Sequence, residues 1–144
     1  MSKVLGVVMI LAALVLAIIP AFTDCESAGK MLTTADGRSV SMKCHWAGVA
    51  EVAAAIPLGI AGIYALRSRR KETTRFAAII GAASGLMAIL LPTLLIGTCG
   101  NAMMICNVLM RPILLASGIV AIVASVALFF TAREAELPPT AAAV

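Results

Sequence analysis

Four apolar runs, Val4 to Phe22, Trp46 to Leu66, Phe76 to Gly97 and Val108 to Phe130, limit what this chain can fold into. Each holds about 19 to 23 residues, and a helix needs about 20 to cross a hydrocarbon layer of about 30 Å. Inside lipid every backbone N–H and C=O must bond within its own segment, so the runs predict helices and not strands. The expected fold class is all-α, a four-helix transmembrane bundle. One domain covers residues 1–131, with helices at about 4–22, 46–66, 76–97 and 108–130. A tail at 132–144, with Pro138-Pro139 among alanines, is expected to be a flexible end without chemistry.

Composition excludes the main alternatives. Apolar residues make up 62% of the chain and charged residues 12%, against roughly half and a quarter in a soluble domain. Mean hydropathy is +1.07. A soluble enzyme, a disordered chain and a coiled coil are all excluded. The net charge of +4 does not make a nucleic-acid face either. Arg67, Arg69, Arg70, Lys71 and Arg75, less Glu72, account for all of it within one short segment between apolar runs.

That segment sets orientation. A short loop rich in Lys and Arg stays on the cytoplasmic side. Both termini therefore face the cytoplasm, and loops 23–45 and 98–107 are extracytoplasmic, in a multi-pass protein of the inner membrane. The first run is too long for a signal-peptide core and lacks a clean small-x-small site after it, so it is expected to remain as the first helix. Cys25 is not a lipoprotein site, because Asp24 precedes it where a small residue is needed.

The halves of the chain repeat one another. Ile18-Ile19-Pro20 is followed by Cys25, and Leu90-Leu91-Pro92 by Cys99; Met42-Lys43-Cys44 opens the second helix, and Met104-Ile105-Cys106 the fourth. The shared unit is helix, Pro, Cys, outer loop, Met-x-Cys, helix. Two similar helical hairpins in parallel repeat follow from it. Gly81 and Gly85 on the third helix, and Ala61 and Ala65 on the second, have the spacing that lets helices approach closely in lipid.

Cys25-Glu26-Ser27 after the first helix, Met42-Lys43-Cys44-His45-Trp46 with Glu51 at the second, and Leu91-Pro92-Thr93 with Cys99 and Cys106 resemble an uncharacterised family. It is a domain-of-unknown-function family of short four-helix bacterial membrane proteins, and the resemblance spans residues 1–131. It implies the fold and the topology and brings no established activity. Members of this kind resemble companions of ABC-type export permeases, so such a permease is the implied partner, beside the lipid bilayer itself.

All four cysteines fall on the predicted outer side, where an even count reads as disulfides. The repeat selects Cys25–Cys44 and Cys99–Cys106, each closing its own hairpin loop, at roughly 3 and 2.5 kcal/mol in the loop-entropy picture. Two other readings use the same sulfurs. Cys44 and Cys106 sit at helix starts, where a thiol is activated for thiol-disulfide exchange, although no Cys-x-x-Cys occurs. Met42, Cys44, His45, Met104 and Cys106 offer thioether, thiolate and imidazole ligands suited to Cu(I).

Two polar features lie within the apolar runs. Glu51 is about 7–8 Å inside the second helix at 1.5 Å per residue, and a carboxylate there is costly unless it faces a partner. Arg111, at similar depth with opposite sign, is its expected partner, and Thr93 a third member of the cluster. His45 beside Trp46 reads as an interfacial pair. Pro57 is expected to kink the second helix. No nucleotide motif, dense polar lining or catalytic carboxylate pair is present. No cofactor and no catalytic residue are expected, and the leading reading is a non-enzymatic accessory or interaction subunit of a cell-envelope assembly.

Overall fold

The four apolar runs all become helices, and each helix extends beyond its run at one end or both, the third stopping short of Gly97. The structure, a computed structural model, describes residues 2–27, 29–68 and 70–132. Helix α1 covers Ser2–Thr23, α2 Lys43–Arg67, α3 Lys71–Leu90 and α4 Arg111–Thr131. A π-helical turn, Leu91–Leu95, extends α3, and another, Cys106–Met110, leads into α4. Backbone hydrogen bonding propagates past the apolar boundary, because adding a residue to an existing helix costs little. As a result Cys44 and His45, expected just ahead of the second helix, lie in the first turn of α2. The tail expected at 132–144 lies outside the described residues beyond Ala132.

The π-turn after α3 has a local cause. Pro92 has no N–H for the carbonyl four residues back, and its ring crowds that carbonyl. The helix widens at this point, and the Thr93 hydroxyl donates to Ile89 O at 2.6 Å. Pro57, by contrast, sits within α2, which runs without interruption from Lys43 to Arg67.

Each of the four helices is long and apolar enough to cross a membrane. Packing is most extensive within α1–α2 and within α3–α4, and contacts of α2 with α3 and of α4 with α1 close the ring. Both pairs are antiparallel: Gly6 meets Gly62 and Pro20 meets Gly48, while Gly85 meets Gly118 and Gly81 meets Ser125. One end of the bundle therefore carries the ends of α1 and α3 with the starts of α2 and α4, which is where the cysteines are. The other end carries the 68–70 connection.

The core is narrow. Met9, Leu16, Leu58, Met110, Leu114 and Leu128 fill it, with alanines between them. Phe22, Ile56, Ile79, Val123 and Phe130 point outward, the distribution expected when the surrounding solvent is lipid. Lipid removes the hydrophobic drive for helix association, so tight contact between small residues has to supply the cohesion. A Cβ on Gly62 would stand 3.0 Å from Gly6 O, and one on Gly85 would stand 3.0 Å from Gly118 O. Gly81 and Gly85 thus serve packing inside this bundle.

The first loop adds a feature the sequence reading did not contain. Leu32–Thr33 (β1) pairs antiparallel with Ser39–Val40 (β2). Gly37, at φ +76°, takes the left-handed conformation in the turn between them.

Candidate functional site

The four cysteines arrive from four separate places at one end of the bundle. Cys25 follows α1 in a tight turn where Lys30 N–H donates to Cys25 O at 2.8 Å. Cys44 lies in the first turn of α2. Cys99 belongs to the connection after α3, where Asn107 Nδ2 donates to Cys99 O at 2.6 Å and to Asn101 O at 2.8 Å. Cys106 begins the π-turn ahead of α4. Side-chain amide and backbone bonds thereby fix irregular chain segments around the sulfurs.

The sulfurs form one cluster and not two bonded pairs. Cys25 Sγ lies 3.4 Å from Cys99 Sγ and 3.6 Å from Cys106 Sγ, and Cys99 Sγ lies 3.4 Å from Cys44 Sγ. All four sulfurs fall within 4.8 Å of one another. A disulfide needs about 2.05 Å, and all four cysteines are free. The expected Cys25–Cys44 and Cys99–Cys106 disulfides are therefore corrected. The expected pairing joins cysteines that are neighbours in sequence, but the ring of helices brings the two hairpin mouths face to face, so sulfurs of each half also meet those of the other.

Cys25, Cys44 and Cys106 are at most 1% exposed, while Cys99 is half-buried. Burial, and then the crowding of Cys44, Cys99 and Cys106, push the Cys25 thiol far above the ordinary thiol range. The distances suit a metal. Four sulfurs held at about 2.3 Å around a tetrahedral ion stand about 3.8 Å apart, within the spread seen here.

The expected Met42, Cys44, His45, Met104 and Cys106 set is divided by the structure. Cys44 and Cys106 belong to the cluster, and Met42 Sδ borders it 3.8 Å from Cys99 Sγ. Met104 is partly buried against the same core. His45 turns elsewhere: its Nδ1 is 2.8 Å from Asp24 Oδ2 and 3.1 Å from Glu26 Oε2, with its ring edge-on to exposed Trp46. Asp24 also accepts from Ser27 N–H at 2.8 Å. Burial raises the Asp24 carboxyl, but the bonds from His45 and Ser27 outweigh it and hold it below the usual carboxylate range. Sequence alone assigned Asp24 and Glu26 no such role; two acidic residues in the same outer loop that ends at His45 were the available signal.

The Glu51–Arg111–Thr93 cluster does not form. Glu51 is fully buried, and neither carboxylate oxygen has a hydrogen-bond partner. It lies on the buried stripe of α2 with Cys44, Ala47, Gly48 and Ala55, two turns from the sulfurs. Arg111 is exposed and faces a cleft, and Thr93 is occupied with its own backbone. Equal depth along two helices does not put side chains on facing sides, which is why the pairing fails.

Neither a curated protein nor a solved structure matches this chain. A family model does match: residues 4–131 fit the domain of unknown function DUF4418, so the chain belongs to that family.

Proposed function

We propose that this protein holds a single soft or borderline metal ion, Zn(II) first, in a four-thiolate site at the extracytoplasmic end of a multi-pass inner-membrane bundle. The observation that carries the reading is the convergence of Cys25, Cys44, Cys99 and Cys106 within 4.8 Å. A tetrahedral sulfur set suits Zn(II), and soft thiolate with the Met42 thioether nearby also suits Cu(I). The positively charged 67–75 segment supports placing the sulfurs outside.

Thiol-disulfide exchange is the second reading. It draws on the order of contacts Cys44–Cys99–Cys25–Cys106, in which the two central sulfurs each touch two others. The attacking group in that chemistry must be a thiolate that a partner can reach, and Cys25, Cys44 and Cys106 are closed to solvent. A metal ion instead uses all four clustered sulfurs at once, since coordination deprotonates a thiol outright. Metal binding is therefore favoured.

On this reading the chain is non-enzymatic, a metal-holding accessory subunit of an envelope assembly. The apolar outer faces of its helices meet lipid or a membrane partner such as an ABC-type permease.

The test is metal analysis of the reduced, full-length protein in mild detergent, with cobalt substitution to report geometry by its absorption. One metal per chain, a tetrahedral cobalt-thiolate spectrum, and loss of both in Cys44→Ser and Cys99→Ser are expected. Metal-free protein whose thiols are all reduced and accept no metal overturns the reading. Thiols whose oxidation follows a quinone would support exchange instead. Co-purification of a membrane partner tests the subunit role.

A further inference from the structure

A cleft of about 540 Å³ opens at the cysteine end between the last turns of α3 and the start of α4. Thr93, Thr98, Cys99, Asn107 and Arg111 line it. Its walls include residues of both π-turns, irregularities that recur at functional sites. Two features give it a chemical character. Cys99 is the only one of the four clustered cysteines that is not fully enclosed. Arg111 is exposed and makes no ion pair among the described residues.

The other polar groups of the wall are already committed. The Thr98 hydroxyl donates to Asn107 Oδ1, the Asn107 amide donates to Cys99 O and Asn101 O, and the Thr93 hydroxyl donates to Ile89 O. Free donor capacity in the cleft thus belongs to the Arg111 guanidinium, a planar fork that matches a carboxylate. A half-buried thiol and an unpaired guanidinium share one wall.

We infer that this cleft is the port through which metal reaches the thiol centre, and that it accepts the ion from a small thiol bearing a carboxylate. The inference rests on the metal reading above. Cys99 makes the first contact, since Cys25, Cys44 and Cys106 are closed to solvent. From Cys99 the ion passes inward, because Cys99 Sγ touches both Cys25 Sγ and Cys44 Sγ. Each protein S–metal bond that forms replaces a donor S–metal bond, and each proton leaving a cysteine thiol goes to a released donor thiolate. No electrons change hands. Arg111 holds the donor's carboxylate during the exchange and is a positioning residue, not a ligand.

The experiment is isotope exchange. Full-length protein loaded with enriched zinc in non-ionic detergent is mixed with natural-abundance zinc complexes of N-acetylcysteine or of 2-mercaptoethanol, at equal free zinc. The isotope ratio on the protein is then followed in time. Wild type is expected to exchange about tenfold faster with the carboxylate-bearing donor, the scale of one charge-assisted hydrogen bond. Arg111→Gln should lose that preference while keeping its zinc content and its rate with 2-mercaptoethanol, and Arg38→Ala, in the turn of the first loop, should keep the preference. Equal rates in wild type, or a preference that survives R111Q, overturns the inference. If R111Q holds no zinc, salt replaces it: the wild-type preference must shrink as ionic strength rises, and a salt-independent preference overturns the inference. A wild-type chain that holds no zinc before any donor is added marks failure of the metal reading itself.

Discussion

The two ends of the bundle solve the same problem, turning the chain between helices, in different ways. At the basic end α2 and α3 are joined by residues 68–70 alone. Arg67 lies in the last turn of α2 and Glu72 in the first turn of α3, each placed favourably for the local helix dipole. Arg75 stands over the Phe129 ring at 5.2 Å. These are the features of a short connection whose charges, the buried Nε of Arg75 apart, lie near solvent. The cysteine end has a β-hairpin, two π-turns, an Asp24–His45–Glu26 network and four clustered sulfurs, three of them enclosed. Burying that much polarizable and polar material where a three-residue turn would close the helices costs stability. The difference concentrates sulfur and buried polar groups at one end and exposed charge at the other.

The sulfur end should respond most strongly to substitution. Cys44→Ser should abolish zinc binding and lower the melting temperature. A bound ion at 1,000 times its Kd contributes about 4 kcal/mol, and that increment vanishes with the site. Arg70→Ala, the matching change at the basic end, should keep one zinc per chain and alter stability by no more than about 0.5 kcal/mol. Equal effects at the two ends would remove the distinction.

Gly62→Val comes next. Its side chain would press on Gly6 O and Ile10, and overpacking of this kind costs about 1–3 kcal/mol. Thermal unfolding in detergent should shift down, with metal stoichiometry unchanged in the protein that remains folded. Loss of zinc at the permissive temperature would mean that the sulfur end depends on helix contact some distance along the bundle.

Glu51→Leu should act in the opposite sense. Both carboxylate oxygens are buried without partners, and an unsatisfied buried polar group costs roughly 1–3 kcal/mol. The leucine variant should melt higher than wild type, and a lower melting temperature would show that Glu51 has a partner in the membrane.

The smallest effect concerns Asp24→Asn, which weakens the link to His45 by about 0.5–1 kcal/mol. Asp24 is held below the ordinary carboxylate range in the fold. Its stabilisation is therefore fully present above the unfolded carboxyl pKa and disappears as pH falls through the depressed folded value. Melting curves of wild type and D24N should differ near neutral pH and converge in acid; a gap that widens in acid would contradict the assigned role.

Much of this organisation was legible in the residues themselves. The length of four apolar runs dictates four helices, because no other backbone arrangement satisfies its hydrogen bonds in lipid. The order of Pro, Cys and Met-x-Cys dictates that all sulfurs share one end. Which sulfur meets which was not legible. Within-hairpin pairing follows sequence proximity, whereas the structure sets Cys25 against Cys99 and Cys106 through packing of α1 on α4 and α2 on α3. Glu51 and Arg111 make the same point: their depth was readable, the helix face each occupies was not. Length and periodicity are local properties of a chain. The rotation of one helix against its neighbour is decided by contacts such as Gly6 on Gly62 and Gly85 on Gly118, which exist only once the bundle has closed.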